Sequence, residues 1–409
     1  MVTKPVKWIR IHINKITQSI AFYPAIIAIC FLLLSWGMLK IDFSPWGKQL
    51  KQHLSWLSLK DASTGRTIIS TVAGAIISLT VFSFSMVMIV LNQAASQMSN
   101  RVLSSMIENR FQQIVLGCYI GTIVYALFLL STIRDINSGV YVPALSIYLL
   151  ILLTVIDIFL FIYFLDYVTQ TVKYETVIRR VQSQTIDAMK TKFCTISYDA
   201  PPDWSLLPHI ALKTSDADYF QGFNQKRLLE IATTQNLMFS ILCKPGDFLI
   251  KGIPFLLVYG SKLPNKDCIN KIIPVMDFYK GQPVDVNPDY GFHQLAEVAI
   301  KALSPGINDP ATAVISLHAL TDLLSFRLSN CLPLIIKDQN GIARIHVNSS
   351  TFDSLFIKCI YPIWNYGQKD QYIQNELKLM LAQLEQADAK HFYQSLFNDL
   401  LEKINKKIR

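Results

Sequence analysis

The sequence lacks the short motifs that mark most enzyme active sites. It contains no Gly-x-Ser-x-Gly turn, no His-Glu-x-x-His metal motif and no glycine-rich phosphate loop. The seven histidines are scattered along the chain. His293 and Glu297 stand four residues apart, a spacing more typical of a solvated or capping pair than of a metal or acid–base site. These absences argue against an enzyme, a bound metal or another cofactor.

Closely spaced cysteines are also missing. None of the seven cysteines lies within Cys-x-x-Cys spacing of another, which is typical of scattered thiols in a reducing compartment. The second half of the chain has no patch in which basic and aromatic residues are interleaved. The sequence therefore does not predict a nucleic-acid partner.

Acidic residues are scarce in the first half of the chain. Residues 1–195 contain 17 Lys and Arg against 8 Asp and Glu, whereas residues 196–409 contain 21 of each. Hydrophobic residues make up 51% of the sequence, and the mean hydropathy is +0.33. This composition predicts a membrane protein with a large polar portion, in which the basic half contacts the lipid bilayer.

Four apolar runs are long enough to cross a hydrocarbon layer about 30 Å thick. The predicted transmembrane helices begin near residues 21, 67, 114 and 142. The flanking Lys and Arg divide about 11 to 6 in favour of the side that carries both termini. This bias predicts a multi-pass protein of the bacterial inner membrane with cytoplasmic N- and C-termini.

The predicted fold class is an α+β membrane protein, with four transmembrane helices followed by a mixed β-barrel-like and helical soluble domain. The turns around Gly222, Pro245–Phe248 and Gly252 are similar to those of biotinyl/lipoyl-like barrel-sandwich folds. The predicted regions are a basic cytoplasmic N-terminus (1–20), a four-helix transmembrane domain (21–168), a helical linker continuing the fourth span (169–192), a β-rich barrel-sandwich-like domain (193–290), and a mainly helical region (291–409) with a β-hairpin near 333–347.

The second predicted span carries a stripe of small and polar residues at helical spacing. The stripe consists of Ser70, Gly74, Ser78, Ser85 and Asn92. Such a stripe either packs closely against a neighbouring helix, the interpretation we favour, or lines a wet pathway in an oligomer. In the third span, Gly117 and Gly121 form a Gly-x-x-x-Gly pattern that suits a helix crossing.

Asp157 lies near the middle of the fourth predicted span. A charged acid there costs at least about 2.5 kcal/mol to insert, and such residues mark functional sites in membrane proteins. The alternative is a structural acid that holds two helices together through a hydrogen bond. The sequence favours the structural role slightly.

A second candidate site is the segment Ser304-Pro305-Gly306-Ile307-Asn308-Asp309-Pro310. Proline and glycine break one helix here, Asn308 or Asp309 can cap the next, and Pro310 suits its first turn. Gly306 permits a left-handed backbone. The segment is a structural corner or, less expectedly, a ligand site at a helix N-terminus.

Several phrases together resemble one family. They are Phe22–Ala25, Gln97–Leu103, Gln113–Gly117 and, above all, Ala302–Ala313 with its Leu-Ser-Pro-Gly-Ile-Asn-Asp-Pro core. They resemble the bacterial predicted-membrane-protein family catalogued as domain of unknown function 2254, and the resemblance covers nearly the whole chain. It implies a bacterial inner-membrane protein and supplies no activity.

Two functional hypotheses remain open from the sequence. In the first, the protein is a homo-oligomeric channel or transporter-like protein with a cytoplasmic regulatory domain, because four helices are too few to enclose a pathway alone. In the second, it is a membrane-anchored sensor or scaffold whose soluble domain binds a partner or ligand. Ion flux in liposomes distinguishes the first from the second.

Overall fold

The computed structural model describes residues 21–53, 59, 61–97, 110–133, 142–171, 173–195, 203–278, 284, 287–331 and 333–408. The basic segment predicted at 1–20 lies outside these residues. The chain divides into two compact units, Met1–Lys173 and Tyr174–Arg409.

In the first unit the described residues form five helices. They are α1 Phe22–Phe43, α2 Pro45–His53, α3 Ala62–Gln97, α4 Arg110–Thr132 and α5 Ala144–Thr171. All except α2 are formed by long apolar runs. In lipid, where no water is available, such a run pairs its backbone N–H and C=O groups by forming a helix. Helices α3, α4 and α5 pack against one another, and α4 also packs against α1.

The contact between α1 and α4 explains the Gly-x-x-x-Gly pattern. A Cβ atom at Gly117 would lie 2.6 Å from Ile27 Cδ1 and 3.1 Å from Pro24 Cα. A Cβ atom at Gly121 would lie 2.7 Å from the ring of Phe31. The two glycines therefore let the two helix backbones approach closely, as small residues do between membrane helices.

The second unit begins with a helix that is separate from α5. The sequence predicts a fourth span that runs on to about Lys190, but α5 ends at Thr171, Lys173 is not helical, and α6 covers Tyr174–Lys192. Helix α6 packs against α9, Pro288–Ala302, in the same unit. At this crossing a Cβ atom at Gly291 would lie only 1.8 Å from Thr185 Oγ1.

Apart from the 3₁₀ turn Ile273–Val275, the remaining described elements of the second unit are short strands and α-helices. They are β1 Cys194–Thr195, β2 His209–Lys213, β3 Asp218–Phe223, α7 Gln225–Gln235, β4 Met238–Ile241, β5 Phe248–Leu249, β6 Pro254–Tyr259, α8 Lys266–Ile272, β7 Met276–Phe278, α10 Pro310–Ser329, β8 Asn330–Cys331, β9 Ile335–Lys337, β10 Ala343–His346, α11 Phe352–Gly367, α12 Gln371–Ala387 and α13 Gln394–Ile408.

The described strands form open sheets, so the expectation of a barrel-sandwich domain is wrong. The sheets have the orders β2-β6-β4-β10-β9, β5-β3-β7 and β1-β8. Strand β10 joins β4 in parallel, whereas the other pairings are antiparallel. Leu228 and Ala232 of α7 and Ile272 of α8 are buried in the same core as the strands. Because helices cover this apolar surface, the sheet does not need to close on itself.

Five described helices, not the expected four, are long and apolar enough to cross a membrane. The fifth is α10, which belongs to the second unit and packs against α6, α9 and α12. Of its apolar window 56% is buried, against 11–44% for the other four. Length and composition alone cannot separate a membrane span from a helix buried in a protein core.

Candidate functional site

Three helices of the first unit bring four polar side chains into the apolar interior. They are Ser83 of α3, Tyr119 and Thr122 of α4, and Asp157 of α5, with relative exposures of 3%, 0%, 1% and 2%. The hydroxyl of Thr122 approaches the Asp157 carboxyl, and Ser83 approaches the hydroxyl of Tyr119. Tyr119 also interacts electrostatically with Asp157. These four residues are called the Asp157 cluster.

The polar atoms of the Asp157 cluster do not satisfy one another. Ser83 Oγ, the Tyr119 hydroxyl, Thr122 Oγ1 and Asp157 Oδ2 are all buried without a hydrogen-bond partner in the described structure. Most buried polar atoms in proteins have a partner, and exceptions indicate a functional group or a bound water or ion. A group of four in one apolar bundle is therefore the main candidate site.

The sequence identified only one member of the cluster. Asp157 stands out because an acid is rare inside a long apolar run, whereas Ser83, Tyr119 and Thr122 resemble many other residues of these helices. Ser83 lies on the buried face of α3, together with Ile69, Ala73 and Ile76. Continuing the spacing of that face from Ile76 by two helical turns would have found Ser83.

The small-residue stripe lies on the other side of α3. Ser70, Gly74, Ser78, Ser85 and Asn92 are all exposed within the chain. The hydroxyls of Ser70 and Ser78 donate to the carbonyls of Arg66 and Gly74 one turn earlier, so they bond to their own helix. The stripe therefore does not mediate the packing of α3 against α4 and α5.

A second buried acid, Asp42, carries no mark in the sequence that predicts its role. Its side chain lies at the end of α1, is fully buried, and accepts from the backbone N–H of Ser146 at 2.8 Å and from Ser146 Oγ at 2.7 Å. Leu145 N–H donates to the other oxygen at 3.3 Å, and Lys51 Nζ lies 2.8 Å from it. Asp42 thus caps the N-terminus of α5 from another helix, where the free N–H groups and the helix dipole favour a carboxylate.

In the second unit, the segment 304–310 forms the corner between α9 and α10. Asp309 is the N-cap of α10 and accepts from Thr312 N–H at 3.1 Å and from Thr312 Oγ1 at 2.6 Å. The left-handed residue is Asn308, with φ of 50°, and not Gly306. Asparagine adopts this conformation more readily than most non-glycine residues, because a short polar side chain can hydrogen-bond to nearby backbone. Ser304 Oγ donates to the carbonyl of Lys301, which closes the end of α9.

The corner lies beside the start of α6. Burial first, and the charge of Asp309 second, raise the pKa of Tyr174. Pro305 and Gly306 are exposed, whereas Pro310 is half-buried at the first position of α10. The geometry is that of a helix-capping corner, and the described contacts of Asp309 are all consistent with that role.

Replacing Asp309 with alanine is expected to cost about 0.5–2 kcal/mol of stability, because α10 loses its N-cap. Gly306→Val is expected to be tolerated, since Gly306 has no left-handed backbone and no atom lies within 4 Å of the place that a Cβ would take. Chemical denaturation of the full-length protein measures both. A parent-like transition for Asp309→Ala, together with loss of function in cells, would assign the corner to ligand binding or coupling instead.

Nucleophiles and metal ligands do not assemble elsewhere in the described residues. His293 Nδ1 lies 3.8 Å from Cys359 Sγ, and burial, followed by the charge of Asp289, raises the pKa of Cys359. That thiol therefore stays protonated at neutral pH and is a poor nucleophile. Within the described ranges, no group of three His, Cys, Asp or Glu side chains could hold a metal ion.

Comparison with known proteins adds relatives but no activity. The chain is 24% identical to the uncharacterized protein Rv1290c of Mycobacterium tuberculosis and to the uncharacterized protein Mb1321c of Mycobacterium bovis, in each case over 339 residues. The match covers 78% of this chain and 62% of each relative, so the chain matches about three-fifths of their length. No solved structure gives a significant match.

A family model matches residues 17–383, which is most of the chain, including the apolar helices and the corner at 304–310. The family is described as a predicted membrane protein, in agreement with the several long apolar helices of the structure. The chain is a multi-pass membrane protein that belongs to the predicted membrane protein family DUF2254.

Proposed function

We propose that this protein is a transport protein of the bacterial inner membrane, of channel or carrier type. In this proposal α1, α3, α4 and α5 cross the bilayer, and the second unit is a cytoplasmic regulatory domain that contains α10 in its core. The burial of α10 among helices of its own unit supports the last point. The proposal includes no catalytic step and no cofactor.

The observation that carries the proposal is the Asp157 cluster. A stabilising network of hydroxyls and a carboxyl would be expected to close its hydrogen bonds, because an unpaired polar group in an apolar interior costs stability. Four unpaired oxygens on three helices are instead typical of a place where a transported species replaces the missing partners. The proposed pathway therefore passes between α3, α4 and α5.

We also propose that the protein assembles as a homo-oligomer through α3. Its apolar window is only 11% buried, the lowest fraction among the candidate spans. The exposed stripe of Ser70, Gly74 and Ser78 would let a second copy approach closely, and the bilayer would cover the other exposed faces.

Flux measurements test the transport role and the position of the pathway. Purified protein in liposomes is expected to dissipate an imposed ion gradient, and Asp157→Asn should slow the flux by about tenfold or more, equivalent to at least ~1.4 kcal/mol in the barrier. Asp166→Asn removes an exposed acid from the same helix, so it is the matched control and should give the parent's flux.

Ser78→Leu distinguishes the two candidate positions of the pathway, the Asp157 cluster and the small-residue stripe. If the pathway lies at the Asp157 cluster, this exposed substitution should weaken assembly and leave the flux per protomer intact. Loss of flux in Ser78→Leu with normal flux in Asp157→Asn would move the pathway to the stripe. Absence of flux under every gradient or tension would remove the transport role.

Reporter fusions test the proposed orientation. With both ends in the cytoplasm, a reporter fused after Arg409 should be active only in its cytoplasmic form, because the flanking basic residues favour that side. Activity of a periplasmic reporter at the same position would invert the orientation and remove the cytoplasmic location of the second unit.

The membrane-anchored sensor or scaffold is the second candidate. It is favoured by one observation: Tyr174–Arg409 is a compact unit with its own apolar core. A sensor requires that this unit bind a partner or ligand whether or not the membrane helices conduct. If the parent protein gives no flux and Asp157→Asn leaves its biological function in cells intact, the sensor or scaffold is favoured.

A further inference from the structure

The chemistry of the Asp157 cluster narrows the species that it can bind. All four unpartnered atoms are oxygens: two aliphatic hydroxyls, one phenol and one carboxylate oxygen. Oxygen ligands favour hard cations such as those of the alkali and alkaline-earth metals, whereas softer transition metals favour nitrogen and sulfur. Among the described residues, the cluster contains no basic side chain that would attract an anion.

The charge of the cluster selects among hard cations. Asp157 is the one acidic residue of the cluster, and no basic side chain in the described residues pairs with it. The other titratable groups that face it are Tyr119 and Cys118 of α4, which are ordinarily uncharged at neutral pH. A monovalent cation would neutralise the site, whereas a divalent one would leave a buried positive charge.

We propose that Ser83, Tyr119, Thr122 and Asp157 bind a small, largely dehydrated monovalent metal cation between α3, α4 and α5. Water could fill the missing hydrogen bonds, but it would leave the carboxylate charge uncompensated in an apolar surrounding. The cation supplies both the contacts and the charge. This inference rests on the proposed transport function, but binding of the cation can be measured without transport.

Thermal unfolding of the purified full-length protein in detergent micelles tests the site. NaCl, KCl or LiCl is titrated against choline chloride at constant ionic strength, so that only the identity of the cation changes. Binding to the folded state should raise the melting temperature by roughly 1–3 °C for each tenfold increase above the dissociation constant. At least one metal cation should show this shift, and choline should not.

Variants connect the shift to the cluster. Asp157→Asn should abolish the shift, and Ser83→Ala and Thr122→Val should weaken it while keeping the carboxylate in place. Asp166→Asn and Ser78→Ala, on the same helices but exposed, should keep the parent's shift. If Asp157→Asn does not fold, the hydroxyl variants still decide the question.

The possible results separate this inference from the proposed function. Identical melting in all salts, or a shift that survives in Ser83→Ala and Thr122→Val, overturns the cation site and leaves Asp157 as a protonated or hydrated group. A cation-dependent shift without flux in liposomes supports the site and removes the transport role. Flux without any cation-dependent shift supports the transport role and removes the cation site.

Discussion

Asp42→Ala is expected to lower the free energy of unfolding by about 3–5 kcal/mol, the usual cost of removing one partner from a buried ion pair. The substitution leaves the N–H and hydroxyl of Ser146 without their acceptor and Lys51 without its carboxylate. It also removes the hydrogen-bonded link between the end of α1 and the start of α5. The two residues of that link, Asp42 and Ser146, are 104 positions apart in the sequence. Chemical denaturation of the full-length protein measures the loss.

Two variants serve as controls for Asp42. Asp42→Asn retains one acceptor oxygen for Ser146 but removes the charge, so its loss should be intermediate. Asp61→Ala removes an exposed acid that accepts from Ser63 and Thr64 at the start of α3, and its effect should be much smaller. Amide exchange should increase at Leu145 and Ser146 in Asp42→Ala alone. Equal losses for Asp42→Ala and Asp61→Ala would contradict the role of Asp42 as a buried tie.

Gly291→Ala is expected to cost about 1–3 kcal/mol, as overpacking of a tight contact does. The new methyl would lie 1.8 Å from Thr185 Oγ1 and 3.0 Å from Thr185 Cβ and Cγ2. Thr185 cannot turn away without loss, because it is fully buried and its hydroxyl donates to the carbonyl of Val181. Helix α6 must therefore move away from α9, and faster amide exchange across Tyr174–Lys192 should report that movement.

A double substitution tests the cause. Adding Thr185→Ala removes two of the three close atoms, so the pair should recover much of the stability lost by Gly291→Ala, with a coupling of about 0.5–3 kcal/mol. Gly306→Ala, in the same unit but with open space around it, should behave like the parent. Strictly additive losses for Gly291→Ala and Thr185→Ala would show that the two residues do not meet.

Much of the first unit could be predicted, because the sequence signal of an apolar helix is local. An apolar run of about 20 residues without an interrupting charge forms a helix in lipid whatever its neighbours are, since only the helix satisfies its backbone. The same holds for the N-cap before Pro310, which the sequence assigns to Asn308 or Asp309 and the structure to Asp309. Five described helices, not four, proved long and apolar enough to cross a membrane, because length and composition do not distinguish a span from α10, which other helices of its unit bury.

The second unit was harder to predict because its sheets depend on distant pairing. Strand β10 joins the main sheet beside β4, about a hundred residues earlier, and helices α7 and α8 take the surface that a barrel would have covered with strands. Likewise, positive φ fell on Asn308 and not on Gly306, because the path of a turn follows from how its two helices pack. Neither result is encoded in a short window of residues.

The order of the residues is enough to establish a multi-pass membrane protein of its family, with an acid, Asp157, inside an apolar span. Which face of each helix turns inward emerges only in the folded chain. Folding places Ser83, and not the stripe of Ser70 to Asn92, in the interior with Tyr119, Thr122 and Asp157, and it places Asp42 on the N-terminus of α5. An apolar helix has nearly the same composition on every side, so its orientation is set by packing against its neighbours.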